Sequence, residues 1–382
     1  VESSAHSAAG QRLRIVIVPA GFDPRLHYLE NIFARTLHRM GHEVMVVTSV
    51  HGFRGEASQR EALDAALPFR IVRARRVVAW KSTILPLDGS IGKVIRGFNP
   101  QAAFLLAPNH GLGAAWVKHF PASCHIIAGF SDLPWHRGGL STRIKQRWAR
   151  KVIRRADRVI TATRDTYTLV KEWGGPGCEA KIRNVGLTFE AESLEGGQLP
   201  PAAEALSKRV SRLIACVTRV SPEKQLDVLF AAVERFLASR PDAGFVMAGF
   251  GSDDTSEKLR RQIAASPVAD RCVTLPLLSG PEIGALFRSA SCSVWSLVSI
   301  GIYHSLHCGC PVLLREGQDA SHLLANPASG RWYASLDRLD QALPELLDHP
   351  VDRGAVSCVV EPFLAQQVLQ PLLDEAREKP AH

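Results

Sequence analysis

The uninterrupted apolar run LRIVIVPA at 13–20 constrains this chain most. A strand with water on one side alternates apolar and polar residues. One that is apolar throughout needs cover on both faces, as in a parallel sheet between two layers of helices. A helical segment, YLENIFARTLHRMG, follows, and then a second apolar run, EVMVVTS. Strand, helix, strand opens a doubly wound α/β domain. AAFLLAP (102–108), HIIAGF (125–130) and RVITAT (158–163) continue the alternation. After EAESLEGGQLPPAAE (190–204), acidic and rich in glycine and proline, the pattern restarts with RLIACVT, GFVMAG, CVTLP, SCSVWS and PVLLR between helical segments. At 382 residues the chain exceeds one ordinary core. The expected organisation is α/β, with two tandem Rossmann-like domains at 11–190 and 205–355. A linker at 191–204 and a helical tail at 356–382, packing back toward the first domain, complete it.

An apolar fraction of 46% and a charged fraction of 22% are those of a globular protein. No window holds the roughly 18 apolar residues of a membrane span, and VESSAHSAAGQRLR lacks the apolar centre of a secretory signal. The eight cysteines are scattered, mostly within apolar runs, as small buried hydrophobes of a reducing compartment are. A cytoplasmic location is therefore expected. The net charge of +9 gathers in STRIKQRWARKVIRRADR (141–158). Leu140, Ile144, Trp148 and Val152 recur there every four residues with Arg and Lys between them, which predicts a basic amphipathic helix over 140–156. Such a helix is either an ordinary packed element with a solvated basic face or a contact for the inner face of a membrane. No RNA- or DNA-binding signature accompanies it, so nucleic acid is not an expected partner.

Ligands of open parallel sheets bind beyond the carboxyl ends of the strands. The first such loop, PAGFDPRLHYLE, carries one glycine followed by bulky residues and is not a dinucleotide fingerprint. CVTRVSPEKQLDVLF is a better phosphate loop, because Arg219 and Lys224 stand between a strand and a helix N-terminus. The turn AGFGS (248–252) adds Gly249 and Gly251.

CVTRVSPEKQLDVLFAAVERF, GFVMAGFGS, VTLPLLSGPEIGALFRSASCSVWS and HCGCPVLLR follow one another in an order that resembles the carboxyl-terminal domain of GT-B glycosyltransferases. The similarity is to the large retaining family four, which uses nucleotide-sugar donors. FDPRLHYLENIFARTLHRMGHEVMVVTS, ADRVITATRDTYTLV and EAKIRNVGLTFE look like its amino-terminal, acceptor-binding half. The resemblance implies a cleft between the domains, with the donor held by the second and the acceptor entering from the first. It implies that Arg219 and Lys224 hold the donor diphosphate and offset charge on the leaving group without a metal or other cofactor. It implies further donor contacts from Gly249, Gly251, Gly301, Tyr303, His304 and Ser305. His27, Tyr28, Ser131 and His136 are expected on the acceptor side, where His110 or Asp132 would orient an acceptor hydroxyl. The substrates implied are a nucleotide-diphosphate sugar and a glycan or lipid-linked acceptor.

Two departures stand out. The family's Gly-Gly pair near the start is replaced by His27 and Tyr28, although Glu30 keeps its place. Of the family's pair of glutamates before the Pro-Val strand, the second falls on His304 and the first in SLVSI (296–300), which has no acid. A carboxylate accepts two ribose hydrogen bonds where a neutral imidazole accepts one. The chain is therefore either a transferase with altered donor recognition or a weakened GT-B protein that serves as a binding or partner subunit. A sugar-nucleotide epimerase fits less well, because the acceptor half resembles transferases. His304, His307 and Cys308 have helical metal-ligand spacing, but Gly309 and Pro311 end the helix and no fourth ligand follows, so no metal site is expected.

Overall fold

A computed structural model describes residues 11–26, 28–51, 56–80, 83–130, 140–349 and 351–379. The chain forms two compact units, Val1–Thr188 with Ala365–His382, and Phe189–Leu364.

In the first unit, strands β1 (Arg14–Val18), β2 (Glu43–Ser49) and β3 (Arg70–Ala74) precede a hairpin of β4 (Val77–Trp80) and β5 (Thr83–Pro86). Strands β6 (Ala102–Leu106), β7 (His125–Phe130), β8 (Arg158–Thr161) and β9 (Ile182–Asn184) follow. The sheet order is β3-β2-β1-β6-β7-β8-β9, parallel throughout, with the hairpin apart from it. Ile15 and Ile17 are as fully buried as Val16 and Val18, as the run LRIVIV requires. The strand order reverses between β1 and β6, so a ligand crevice is expected beyond their carboxyl ends.

The tail helix Ala365–Glu378 belongs to this unit. Glu375 accepts Arg158 Nε at 2.5 Å and pairs with Arg183 at 2.6 Å, and Lys379 reaches Asp157 at 2.9 Å. His125, buried, stands between Asp157 and Glu375, its ring nitrogens 4.0 and 3.9 Å from their oxygens.

The second unit holds β10 (Arg212–Val217), β11 (Ala243–Phe250), β12 (Cys272–Pro276), β13 (Cys292–Trp295), β14 (Val312–Arg315) and β15 (Gly330–Tyr333). Their order is β12-β11-β10-β13-β14-β15, again parallel, and it reverses between β10 and β13.

Three sequence expectations are corrected here. Residues 191–204 are not a free linker: Leu194 and Ala203 are buried in the second unit, within the helical segments Glu192–Leu194 and Pro201–Ser207. Glycines of helix Gly280–Ser289 seat the segment Glu192–Leu194. A Cβ on Gly280 would stand 2.2 Å from the carbonyl oxygen of Ser193, and one on Gly284 2.0 Å from that of Leu194. In the basic helix, observed over Leu140–Arg155, the buried stripe is Ala149, Val152 and Ile153, while Ile144 is 37% exposed. Cys358 is exposed, whereas Cys124, Cys178, Cys216, Cys292 and Cys310 are buried as expected. Among the described residues no helix is long and apolar enough to cross a membrane.

Candidate functional site

The second unit's strand-order reversal is flanked by two loops. After β10 the chain runs Thr218, Arg219, Val220, Ser221 and a 3-10 turn, Pro222–Lys224, then passes through Gln225 in the left-handed region (φ 47°) into helix Leu226–Ser239. Lys224 is partly buried and donates to the hydroxyl of Thr218. Burial lowers its pKa, and the neighbouring Arg219 guanidinium pushes the same way. Arg219 is mostly exposed, 63% at its side chain, with Glu223 3.7 Å away. The loop thus presents one half-desolvated ammonium and one largely exposed guanidinium beyond the sheet, an arrangement suited to an anion with several oxygens.

Neighbouring strand ends fix this loop. Gly249 lies at φ 113°, and a Cβ there would stand 2.1 Å from the carbonyl oxygen of Thr218. Val220 N–H donates to Gly249 O at 3.1 Å. Close packing of two loops therefore requires a glycine at Gly249. Gly251 N–H donates to Ser256 Oγ, and Asp253 accepts both the amide and hydroxyl of Ser256, closing the turn that starts helix Asp254–Ala264.

Beyond β13, helix Ile300–His307 sits directly on the strand ends. A Cβ on Gly301 would meet the Trp295 ring at 2.5 Å and Val217 O at 3.2 Å. The N-cap, Ser299, makes no side-chain cap bond. The positive end of this short helix is thereby held at the β10–β13 reversal. Gln318 donates to Ser296 O at 2.6 Å and fixes the loop between strand and helix.

The remaining expected donor contacts divide in two. Tyr303 and Ser305 are interior. The Tyr303 hydroxyl is hydrogen-bonded to His322 at 2.9 Å, and Ser305 joins Ser293 at 2.8 Å and donates to Cys310 O at 3.0 Å. The Tyr303 hydroxyl is thus engaged by the turn Ser321–Leu324, and the Ser305 hydroxyl by β13 and the segment entering β14. His304 is buried, its ring edge-on to Phe189 at 5.9 Å, and His307 lies against the same ring at 5.3 Å. Burial pushes the Cys310 thiol up to about 12 and the Cys308 thiol to about 11, so neither is a thiolate near neutrality.

In the first unit the reversal is flanked by residues 19–26, 28 and 107–111. Buried Asp23 receives Arg25 at 2.9 and 2.6 Å, and Arg73 donates to Phe22 O at 3.0 Å. Sequence reading missed this brace, whose signal is the charged DPR after an apolar strand. Tyr28 caps helix Leu29–Arg39 and is exposed. His110 ends the turn Pro108–His110, half-buried. Both therefore stand at the strand-order reversal of this unit. His27, Ser131, Asp132 and His136 lie outside the described residues.

Known proteins agree with this architecture. Residues 31–184 match the profile of the Glycosyl transferase 4-like domain, and residues 211–349 that of Glycosyl transferases group 1. HepE of Anabaena, solved with UDP-glucose, covers 96% of this chain and 100% of its own at 15% identity and TM-score 0.67. A glycosyltransferase of Rickettsia africae covers 97% and 99% at 14% identity and TM-score 0.68. A GDP-mannose-dependent monoacylated alpha-(1-6)-phosphatidylinositol monomannoside mannosyltransferase of Corynebacterium glutamicum is 29% identical over 154 residues. That match spans 38% of this chain and 40% of the relative. The solved structures identify the fold and the two profiles, one on each unit, identify the family: the chain belongs to the GT-B-fold glycosyltransferases.

Proposed function

We propose that this chain transfers a sugar, with retention, from a nucleotide-diphosphate sugar to a glycan or lipid-linked acceptor. The observation that carries the reading is the pair Lys224 and Arg219 at the β10–β13 reversal, beside the seated N-terminus of helix Ile300–His307. Negative charge grows on the diphosphate as the glycosidic bond breaks, and two fixed cations stabilise that state more than the ground state. No metal has a part in this scheme. The anomeric carbon passes through an oxocarbenium-like state, and the acceptor hydroxyl attacks from the face the diphosphate leaves. Acceptor recognition is assigned to the first unit, where Tyr28 and His110 stand, with Asp132 or His110 orienting the hydroxyl. HepE was solved with UDP-glucose and the corynebacterial relative uses GDP-mannose, so the base and sugar are left open between these types.

A thermal-shift panel of UDP, GDP, dTDP, ADP and their sugars tests the donor site. The matching nucleotide at about 100 times its Kd adds roughly 2.7 kcal/mol of stability. Lys224→Ala and Arg219→Ala are expected to reduce that shift, Lys224→Ala the more strongly. Full retention in both variants would place the donor elsewhere.

A second reading, a GT-B protein that binds without turnover, is favoured by one observation: His304 and the acid-free SLVSI (296–300) stand where the family carries its two acids. Donor hydrolysis separates the two readings. Absence of turnover of every nucleotide sugar, with membranes added, leaves only the binding role. If His304 replaces a ribose-binding acid, His304→Glu tightens nucleotide binding by about 1–3 kcal/mol.

A further inference from the structure

Two surface features of the first unit remain unused by the site above. The first is the outer side of helix Leu140–Arg155. Arg143, Arg147, Arg150 and Arg154 recur at intervals of four, three and four, opposite the buried Ala149, Val152 and Ile153. All four arginines are exposed, and the helix carries no acid. A concavity of about 810 Å³ is lined by these four with Trp148 and Lys151. Arg150 and Lys151 are also structural, donating to Trp173 O at 2.9 Å and Ala114 O at 2.7 Å.

The second feature is the β4–β5 hairpin. Val78 pairs with Leu85, and Leu87 follows two residues on, so the three share a face. They are 51%, 39% and 66% exposed, with Arg75 and Arg76 exposed at the base. The nearby carboxylate, Asp88, accepts from the amide and hydroxyl of Ser90. The hairpin and the helix are neighbours. A Cβ on Gly111 would stand 2.5 Å from Ile84 O and 3.4 Å from the Trp148 ring, so one glycine is held between them.

We propose that this face docks on a bilayer containing anionic phospholipid. The arginine line meets lipid phosphates, and Val78, Leu85 and Leu87 enter the boundary between headgroups and acyl chains. Charge complementarity selects an anionic partner, and the apolar face of the hairpin selects a bilayer over a nucleic acid. Nucleic acid supplies phosphates but no apolar phase for three aliphatic side chains. The inference deepens the lipid-linked-acceptor part of the proposed function, but its geometry does not depend on the donor site.

The test is flotation of the full chain with vesicles of phosphatidylcholine alone or with roughly 30% phosphatidylglycerol. Binding is expected to the anionic vesicles only. Replacing Arg143, Arg147 and Arg154 together with Gln is expected to weaken partitioning about 100-fold, at roughly five-fold per arginine. Leu85→Ser with Leu87→Ser is expected to keep binding at low salt and lose what survives at about 0.5 M salt, where charge is screened. The thermal-unfolding midpoint of each variant shows that it is folded. Equal partitioning of the arginine variant, or no binding of the parent chain to anionic vesicles, overturns the proposal. So does binding to duplex DNA as tight as to vesicles together with indifference to the hairpin variant. A chain that keeps its nucleotide shift but ignores vesicles loses only the docking surface. One that floats without any nucleotide shift loses only the donor reading.

Discussion

The two units share a plan, a parallel sheet whose strand order reverses once, yet their strand-end loops are built for different objects. In the second unit the loop with Arg219 and Lys224 is clamped by Gly249, and the helix beside it is seated on Gly301. Backbones there touch so closely that no side chain fits between them, and the cations are held within a small space. In the first unit Gly111 plays the same clamping part, but what it holds is a hairpin with Val78, Leu85 and Leu87 in water and a helix lined with arginine. One rim suits a small anion with dense charge, and the other an extended surface. A shared architecture thus fixes where ligands go, and the loops alone decide their size.

The sharpest way to break this comparison is a matched pair of glycine substitutions. Gly249→Ala forces a Cβ onto Thr218 O at a positive φ and is expected to cost the second unit about 3 kcal/mol and its nucleotide shift. Gly111→Ala meets the same kind of obstacle at Ile84 O, and is expected to lower vesicle binding while leaving the nucleotide shift in place. If both variants lose both properties, the rims are not independent. Urea unfolding and the two binding assays decide.

Next in size is Lys224→Ala, expected to weaken nucleotide diphosphate binding by about 1.5–3 kcal/mol, more than Arg219→Ala, which is largely exposed. Titration calorimetry that finds Arg219 the stronger contributor would reverse the roles given to the two cations. Lys224 also gives the donor site a pH signature. Its folded pKa lies below 10.5, so the charged form is the disfavoured one, and affinity is expected to fall as pH rises through that lowered value. Affinity that stays flat as pH is raised to 10.5 would show that the ammonium does not face the ligand.

The smallest effect concerns acid. Burial lowers the pKa of His42, His119 and His125 in the first unit and of His307 in the second. Below pH 6.5 the unfolded chain protonates these rings before the folded one does, so stability falls between 6.5 and the lowered folded values. Hydrogen exchange is expected to show β7 losing protection faster than β10 as pH drops from about 7 to about 5.5, after correction for intrinsic rates. Equal loss in both strands would show that the lowered histidines, three in the first unit against one in the second among the described residues, have no energetic consequence.

The parallel strands were legible because burial on both faces leaves continuous apolar runs, as in LRIVIV and RLIACV. Arg219 and Lys224 were legible because a strand, a cationic turn and a helix lie within one short segment. The roles of Gly249, Gly280, Gly284 and Gly301 were not, because each is fixed by a backbone or ring distant in sequence: Thr218, Ser193, Leu194 or Val217. The hydrogen bonds of Tyr303 and Ser305 were not legible for the same reason. Their partners, His322 and Ser293, come from other turns of the chain. The margin 191–204 reads as a linker by composition, yet the carbonyls of Ser193 and Leu194 are covered by Gly280 and Gly284, distant in sequence.

The return of helix Ala365–Glu378 to the first unit makes the second unit, in chain order, an insertion within the first. Arg158, Arg183 and Asp157 are synthesised long before Glu375 and Lys379, which neutralise them. The residues of the inserted unit therefore precede Glu375 and Lys379 in synthesis, and the enclosing unit gains these partners only after them. Removing helix Ala365–Glu378 is therefore expected to destabilise the first unit, distant in sequence, more than the second, whose residues it directly follows.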